Sequence, residues 1–231
     1  MPIPRTVPLA GVIALLSLAA STPAALIVEY RFTSSSYSPT TQHPLVTADD
    51  AFDDVMWGGG ITGMRGITAS AGVGDSFSLY TRSTGVDSSI TPTDYVGFTL
   101  AADPGKTLDL TDVAFYYTFN GGTGYTATFT LRSSLDGYTA DLAQFVKPSS
   151  SGGYNAGWTS TGPIALGSAF GNIASVGFRI FLSDDVESNT YSLRLDNLTV
   201  NGEVIPEPAS AALLGLVALA FLRCRRPAHG A

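Results

Sequence analysis

Four aspartates within six residues, Asp49, Asp50, Asp53 and Asp54, form the densest run of charge in this 231-residue chain. Two further groups, Asp184, Asp185 and Glu187 with Asn189, and Asp196 beside Asn197, repeat the theme. Clustered oxygen ligands of this kind suit a hard cation, and calcium is the one cofactor the sequence suggests. None of the groups follows the spacing of a calcium-binding loop, so the competing reading is a set of solvated acidic loops. A second chemistry lies in the aromatics Trp57, Tyr116, Tyr125, Tyr154 and Trp158, which the pattern puts in loops or on outward faces. Exposed rings stack on the apolar faces of sugars, whereas the same rings in a core or a cross-strand pair serve packing alone.

Catalysis has few residues to draw on. The two histidines are His43, in a proline-flanked loop, and His229, near the chain end. A Ser-His-Asp arrangement could use only His43, and neither a G-x-S-x-G nor an H-E-x-x-H motif occurs. The lone cysteine, Cys224, leaves residues 26–203 with no disulfide, thiolate metal site or thiol nucleophile. Gly58, Gly60 and Gly63 meet the G-x-G-x-x-G spacing literally. A dinucleotide fingerprint also needs a strand before it and a helix after it, and the residues that follow make a poor helix. A pair of carboxylates at glycosidase separation is the one catalytic device the acid-rich composition leaves open.

Residues 26–203 carry 18 acidic and 8 basic side chains, an excess of ten negative charges that argues against nucleic acid as a partner. Ser, Thr, Gly and Tyr abound and lysine is scarce, a composition suited to half-buried sheet. The apolar residues recur with a period of two: Phe77 and Leu79; Val96, Phe98 and Leu100; Val113 to Phe119; Tyr125, Ala127, Phe129 and Leu131; Val176, Phe178, Ile180 and Leu182. Leu26–Phe32 reads as a first strand. Residues 46–55 read as a short helix or an irregular acidic loop. Asp136-Gly137 predicts a tight hairpin turn. In the last strand Tyr191, Leu193 and Leu195 are odd-numbered while Leu198 and Val200 are even, which predicts a bulge near Asp196-Asn197. About ten short strands separated by Gly, Ser and Asp predict an all-β fold, an antiparallel β-sandwich of jelly-roll type.

Both ends differ from this body. Arg5, the apolar stretch Val7–Ala20 and the small residues of 19–25 have the order of a secretory signal peptide, with cleavage expected between Ser21 and Ala25. An uncleaved anchor helix is the alternative. At the other end Pro206-Glu207-Pro208 precedes an unbroken run of apolar and small residues, Ala209–Leu222, closed by Arg223, Arg225 and Arg226. Proline and an acid suit the start of a helix and arginines its end. Fourteen residues at about 1.5 Å each span about 21 Å, short of the roughly 30 Å hydrocarbon core, so a buried or surface helix competes with a membrane span. The absence of a polar face and the terminal arginines favour the membrane.

The order Pro206-Glu207-Pro208, apolar helix, arginine cluster resembles the PEP-CTERM sorting signal of exported bacterial proteins. The resemblance implies recognition and cleavage near the motif by an integral-membrane exosortase. Cys224 among the arginines and the residues after Arg226 depart from the pattern. The passages 130–138, 178–180 and 193–200 are similar to strands of jelly-roll, carbohydrate-binding-like domains that precede such signals.

The expected organisation is a signal peptide at 1–25, a β-sandwich domain at 26–203 and a sorting signal with a transmembrane helix at 204–231. The expected function is an exported, non-catalytic surface or extracellular-matrix protein, passing through the inner membrane as a precursor. Its body is structural, adhesive or carbohydrate-binding, with extracellular polysaccharide as the partner; the alternative is a secreted glycoside hydrolase or lyase. If the acidic groups hold calcium, the ion raises the melting temperature of the purified protein and a chelator lowers it. Indifference to both in a thermal melt removes calcium.

Overall fold

The computed structural model describes residues 24–33, 36–49, 61, 65–69, 72–73, 77–83, 86–150, 157–186 and 191–206. The two terminal apolar segments lie outside these residues. Among the described residues no helix is long and apolar enough to cross a membrane.

Thirteen strands account for the described fold. In chain order they are β1 (Ala25–Tyr30), β2 (Thr41–Gln42), β3 (Val46–Ala48), β4 (Arg65–Ala69), β5 (Phe77–Arg82), β6 (Tyr95–Ala102) and β7 (Lys106–Asn120). There follow β8 (Thr126–Ser133), β9 (Ala143–Pro148), β10 (Thr159–Ser160), β11 (Ile164–Ala165), β12 (Ser175–Asp184) and β13 (Ser192–Pro206). All pairings are antiparallel. One sheet has the order β3-β6-β12-β8-β9. The other holds eight strands along the path β10-β7-β13-β1-β2, with β11 also on β7, β5 on β13, and β4 on β5. The pairs β5 with β13, β6 with β12, β7 with β10 and β11, and β8 with β9 nest one inside the next, which is how a chain wraps into a jelly roll.

The alternation seen in the sequence puts one face of each sheet inward. Val96, Phe98 and Leu100, Ala127, Phe129 and Leu131, and Val176, Phe178, Ile180 and Leu182 are all buried on the five-stranded sheet. They meet Tyr30, Leu108, Leu110, Val113, Phe115, Tyr117, Phe119, Leu193, Leu195, Leu198 and Val200 of the eight-stranded sheet in one core. Aromatic pairs bridge the gap: Tyr30 with Phe98 at 5.5 Å between ring centres, Tyr117 with Phe129 at 5.1 Å, and Phe115 with Phe145 at 6.0 Å. The gap between Leu79, Val96, Phe129 and Leu193 is about 10 Å³. That volume is at the lower limit for one water molecule, so this gap does not house a ligand.

The two longest strands need two irregularities to keep their apolar residues inward. Between Asp196 and Thr199, β13 sets two residues against one of β7, and Asn197 takes a left-handed backbone with φ of 45°. This is the bulge that the parity change predicts. A second register shift, between Asn201 and Gly202, lies against the extra residue Thr111 of β7 and explains why Leu108 and Leu110 point inward with Val113 and Phe115. A Cβ on Gly202 would meet the Asp109 carbonyl oxygen at 2.4 Å, so the backbones can approach this closely only at a glycine.

Four details differ from the sequence reading. Residues 46–48 form strand β3 on the edge of β6 rather than the start of a short helix or an irregular loop. β7 begins at Lys106, well before Val113, because the second bulge hides its period. The Asp136-Gly137 turn is a three-residue 3-10 turn, Ser134–Asp136, inside a longer connection between β8 and β9. Finally, the last strand does not end at Val200: β13 pairs with β7 through Pro206, carrying the sheet into the first residue of the tail motif.

Phe98 is fully buried against rings from both sheets, so Phe98→Ala is expected to lower stability by about 3–5 kcal/mol. Urea denaturation of the two proteins measures the difference.

Candidate functional site

The outer face of the five-stranded sheet carries the residues that alternate with the core: Tyr95, Gly97 and Thr99 on β6, Gly177, Arg179 and Phe181 on β12, and Thr130 and Arg132 on β8. Register places Arg179 directly between Gly97 and Arg132. Glycine beside an arginine opens a hollow, and it is deepened where the β8–β9 connection folds Tyr138 over the sheet. A depression of about 270 Å³ results, lined by Tyr95, Gly97, Phe98, Thr99, Tyr138, Phe178 and Arg179.

Arg179 lies between two tyrosines. Its guanidinium carbon is 4.0 Å from the centre of the Tyr95 ring and 3.9 Å from that of Tyr138. Both distances are well inside the range of cation–π attraction. These ring contacts use none of its N–H groups, and among the described residues no acceptor takes them. The glycines make this fit. A Cβ on Gly97 would stand 2.9 Å from the Phe178 carbonyl oxygen and 3.4 Å from Arg179 Cγ, and one on Gly177 would stand 2.5 Å from the Tyr138 hydroxyl.

The connection that delivers Tyr138 is held by its own polar groups. Gly137 and Tyr138 are both left-handed, with φ of 71° and 64°. The Tyr138 N–H donates to the Ser133 carbonyl at 2.9 Å, and Arg132 Nη1 donates to the Tyr138 carbonyl at 3.2 Å. Arg132 Nε also donates to Asp141 Oδ1 at 2.6 Å, an ion pair at the far side of the loop. Ser134 Oγ accepts from the Gly177 N–H at 2.8 Å and pins the turn to β12. Asp136 accepts from the Ala140 N–H at 2.8 Å and the Thr139 N–H at 3.2 Å. The Ala140 bond is the chief cause holding the Asp136 carboxyl below the usual carboxylate range; burial opposes it and further backbone N–H groups add to it.

The residues singled out by sequence do not meet here. Tyr116 is on the outer face of the other sheet, opposite Ser160 and Asp196. Tyr125 is exposed at the start of β8, 6.3 Å from Tyr191. Trp158 is half-buried before β10, and its indole N–H is buried without an acceptor among the described residues. Trp57 and Tyr154 lie outside the described residues. Tyr95 and Tyr138, which do converge, were not among the predicted rings. Tyr95 opens an alternating strand and would have been legible as its outward neighbour; Tyr138 reaches the sheet only through a left-handed loop.

The acidic groups serve the loops. Asp184 is buried and its Oδ1 accepts from the Val186 N–H at 3.0 Å, while the exposed Asp185 accepts from the Thr126 N–H at 2.8 Å and the Thr126 hydroxyl at 3.2 Å. Neighbours in sequence, the two carboxylates thus face different partners. Asp196 accepts from the Val73 and Asn197 N–H groups at 2.6 and 2.7 Å. Asp49 is exposed at the end of β3, and its carbonyl accepts from the Tyr30 hydroxyl. Asp50, Asp53, Asp54, Glu187 and Asn189 lie outside the described residues, and among those described no three His, Cys, Asp or Glu side chains form a metal-binding group. His43 accepts the Leu45 N–H on its Nδ1, closing a turn. Of the tail motif, Pro206 is exposed at the end of β13; Glu207, Pro208, Arg223, Arg225 and Arg226 lie outside the described residues.

At the level of sequence, no family model and no curated protein matches the chain. Solved structures resemble it in outline. A cleaved adhesin domain of Lys-gingipain from Porphyromonas gingivalis is 13% identical, with a TM-score of 0.43 over 75% of this chain and 96% of that one. A xylan-binding carbohydrate-binding module from Paenibacillus barcinonensis is 13% identical, with a TM-score of 0.43 over 76% of this chain and 98% of that one. A family 22 carbohydrate-binding module from Clostridium thermocellum is 13% identical at a TM-score of 0.37, over 72% and 90% of the two chains. These are likenesses of general architecture at low identity, and they carry no functional argument for this chain.

Because the Asp136 carboxyl titrates below its unfolded value, its bonds stabilise the loop above a pH of about 4 and are lost as pH falls through the folded value. Between pH 7 and pH 3 the wild type is expected to lose more stability in urea melts than Asp136→Ala does. Equal losses would show that this carboxylate does not hold the loop.

Proposed function

We propose that this protein is an exported, non-catalytic binding module that attaches to polysaccharide through the pocket between Tyr95, Arg179 and Tyr138. The observation that carries this reading is the pocket itself. It combines aromatic walls, the Thr99 and tyrosine hydroxyls and a guanidinium on an outward sheet face. A sugar residue presents hydroxyls at its rim and C–H groups on its faces, and this lining offers a partner for each. At about 270 Å³ the space falls just below that of a drug-sized site and suits one residue of a longer chain. Among the described residues that line it there is no carboxylate. The alternative, a glycoside hydrolase, needs two acids facing each other, which the described lining of this pocket lacks.

Delivery is part of the same proposal. The Arg5-led apolar N-terminus and the Pro206-Glu207-Pro208, apolar, arginine tail support export through the inner membrane, with an exosortase-like partner processing the tail and the cell surface or extracellular matrix as destination. Mass spectrometry of the protein from its native host reads both termini and tests this part separately.

For binding, affinity electrophoresis of the purified protein through gels containing neutral and acidic polysaccharides is the direct assay. Retardation by at least one polymer is expected, and Tyr138→Ala should weaken it about tenfold, the loss of one stacking and hydrogen-bonding group, while the melting temperature stays close to wild type. Unretarded migration through every polymer would overturn the proposal.

A further inference from the structure

The outer face of the five-stranded sheet carries an unbalanced positive charge at its centre. Arg179 and Arg132 are direct cross-strand partners on β12 and β8. Like charges placed opposite one another destabilise a sheet, so the pairing calls for compensation. Arg132 has it: the Asp141 carboxylate sits 2.6 Å from Nε, the Tyr138 carbonyl takes Nη1, and the Phe181 ring lies 5.1 Å from the guanidinium carbon. Among the described residues Arg179 has neither a carboxylate nor a carbonyl acceptor; its contacts are the two tyrosine rings. The chain as a whole is acidic, with a formal net charge of -7, yet among the described residues no acid reaches this cation.

Two rings at about 4 Å do more than attract a cation. They restrain the guanidinium before any ligand arrives, and so reduce the rotamer entropy that a free arginine would lose on binding. Gly97 removes the side chain that would crowd the arginine, and the Arg132 bond to the Tyr138 carbonyl steadies the second ring. A planar, preoriented fork with free N–H donors at its rim matches a carboxylate, which it can engage through two parallel bonds. From this geometry we infer that the ligand is an acidic polysaccharide whose uronate carboxylate is read by Arg179. The inference rests on the polysaccharide-binding reading above and adds the substrate class to it. Tyr95 and Tyr138 position the arginine; Thr99 and the tyrosine hydroxyls are left for the sugar hydroxyls.

The test compares polygalacturonate with the same polymer after its carboxylates are reduced to primary alcohols, by affinity electrophoresis and isothermal titration on the full chain. Reduction of the polymer and Arg179→Gln in the protein are each expected to weaken binding at least about tenfold, and the two together should add little. Arg179→Lys keeps the charge without the planar fork, and should fall between wild type and Arg179→Gln. It also serves as the folded control should Arg179→Gln melt early. Equal affinity for acidic and reduced polymers, or Arg179→Gln binding like wild type, overturns the carboxylate reading while leaving polysaccharide binding intact. Binding of neither polymer, with retention on other neutral polysaccharides, also overturns it. Binding of no polysaccharide removes the underlying proposal as well.

Discussion

The structure depends on the ladder between β7 and β13. These are the two longest strands, fifteen residues each, and they run antiparallel along nearly their whole length. Neither could keep its apolar residues on one side over that distance with an unbroken period of two, because Leu195 and Leu198, like Leu110 and Val113, fall on opposite parities. One bulge in each strand restores the inward set. With the ladder in place, β1 and β5 divide the far edge of β13 between them, β10 and β11 cover the far edge of β7, and the eight-stranded sheet gains its shape. The extra residue Asn197 also turns its backbone so that its side-chain amide donates to the Val73 carbonyl at 3.1 Å, joining the bulge to a distant loop.

The five-stranded sheet is simpler, and this is why it can carry a site. β6, β12 and β8 pair in register without a bulge. Their inner face is apolar along the middle of each strand, and on the outer face Phe181 and Thr130 are buried while Tyr95, Thr99, Arg179 and Arg132 stay partly exposed. There Tyr95, Gly97, Thr99, Gly177, Arg179 and Arg132 stand where sheet alternation alone requires only something tolerable to solvent. An arginine between two rings, with a glycine at its side, is more than that requirement. On the outer face of the opposite sheet the buried residues are polar: Ser78, Thr118, Ser192, Arg194 and Asp196. Arg194 Nε donates to Ser192 Oγ, within a polar layer that is covered rather than offered.

Where the two sheets meet at their edge, charge is handled with similar economy. Lys147 on β9 points inward and its Nζ donates to Thr159 Oγ1 on β10 at 2.7 Å, linking the sheets. Burial pushes the pKa of this ammonium down and that of the nearby-strand Tyr117 hydroxyl up, since both charged forms are disfavoured away from water. The acids act at loops, capping N–H groups at Val186, Thr126, Val73, Ala140 and Thr139. Asp184, Asp185, Asp196 and Asp136 thus tie connections to the double sheet.

The sequence by itself determined the all-β class, the inward residues of β6, β8 and β12, and the bulge at Asp196-Asn197, because a period of two and its interruption are properties of neighbouring residues. Local pattern could not reveal the first half of β7, where the Thr111 bulge breaks the period, nor strand β3, whose three residues become a strand only by pairing with β6. The site was the least legible part. Outward aromatics could be named as a class, but Tyr95, Arg179 and Tyr138 come from three separate stretches of chain, and the last arrives through two successive left-handed residues. Only the tertiary structure decided that Arg132 receives Asp141 and that Arg179 receives rings instead of an acid. That choice depends on distances across strands and loops, which no spacing along the chain encodes.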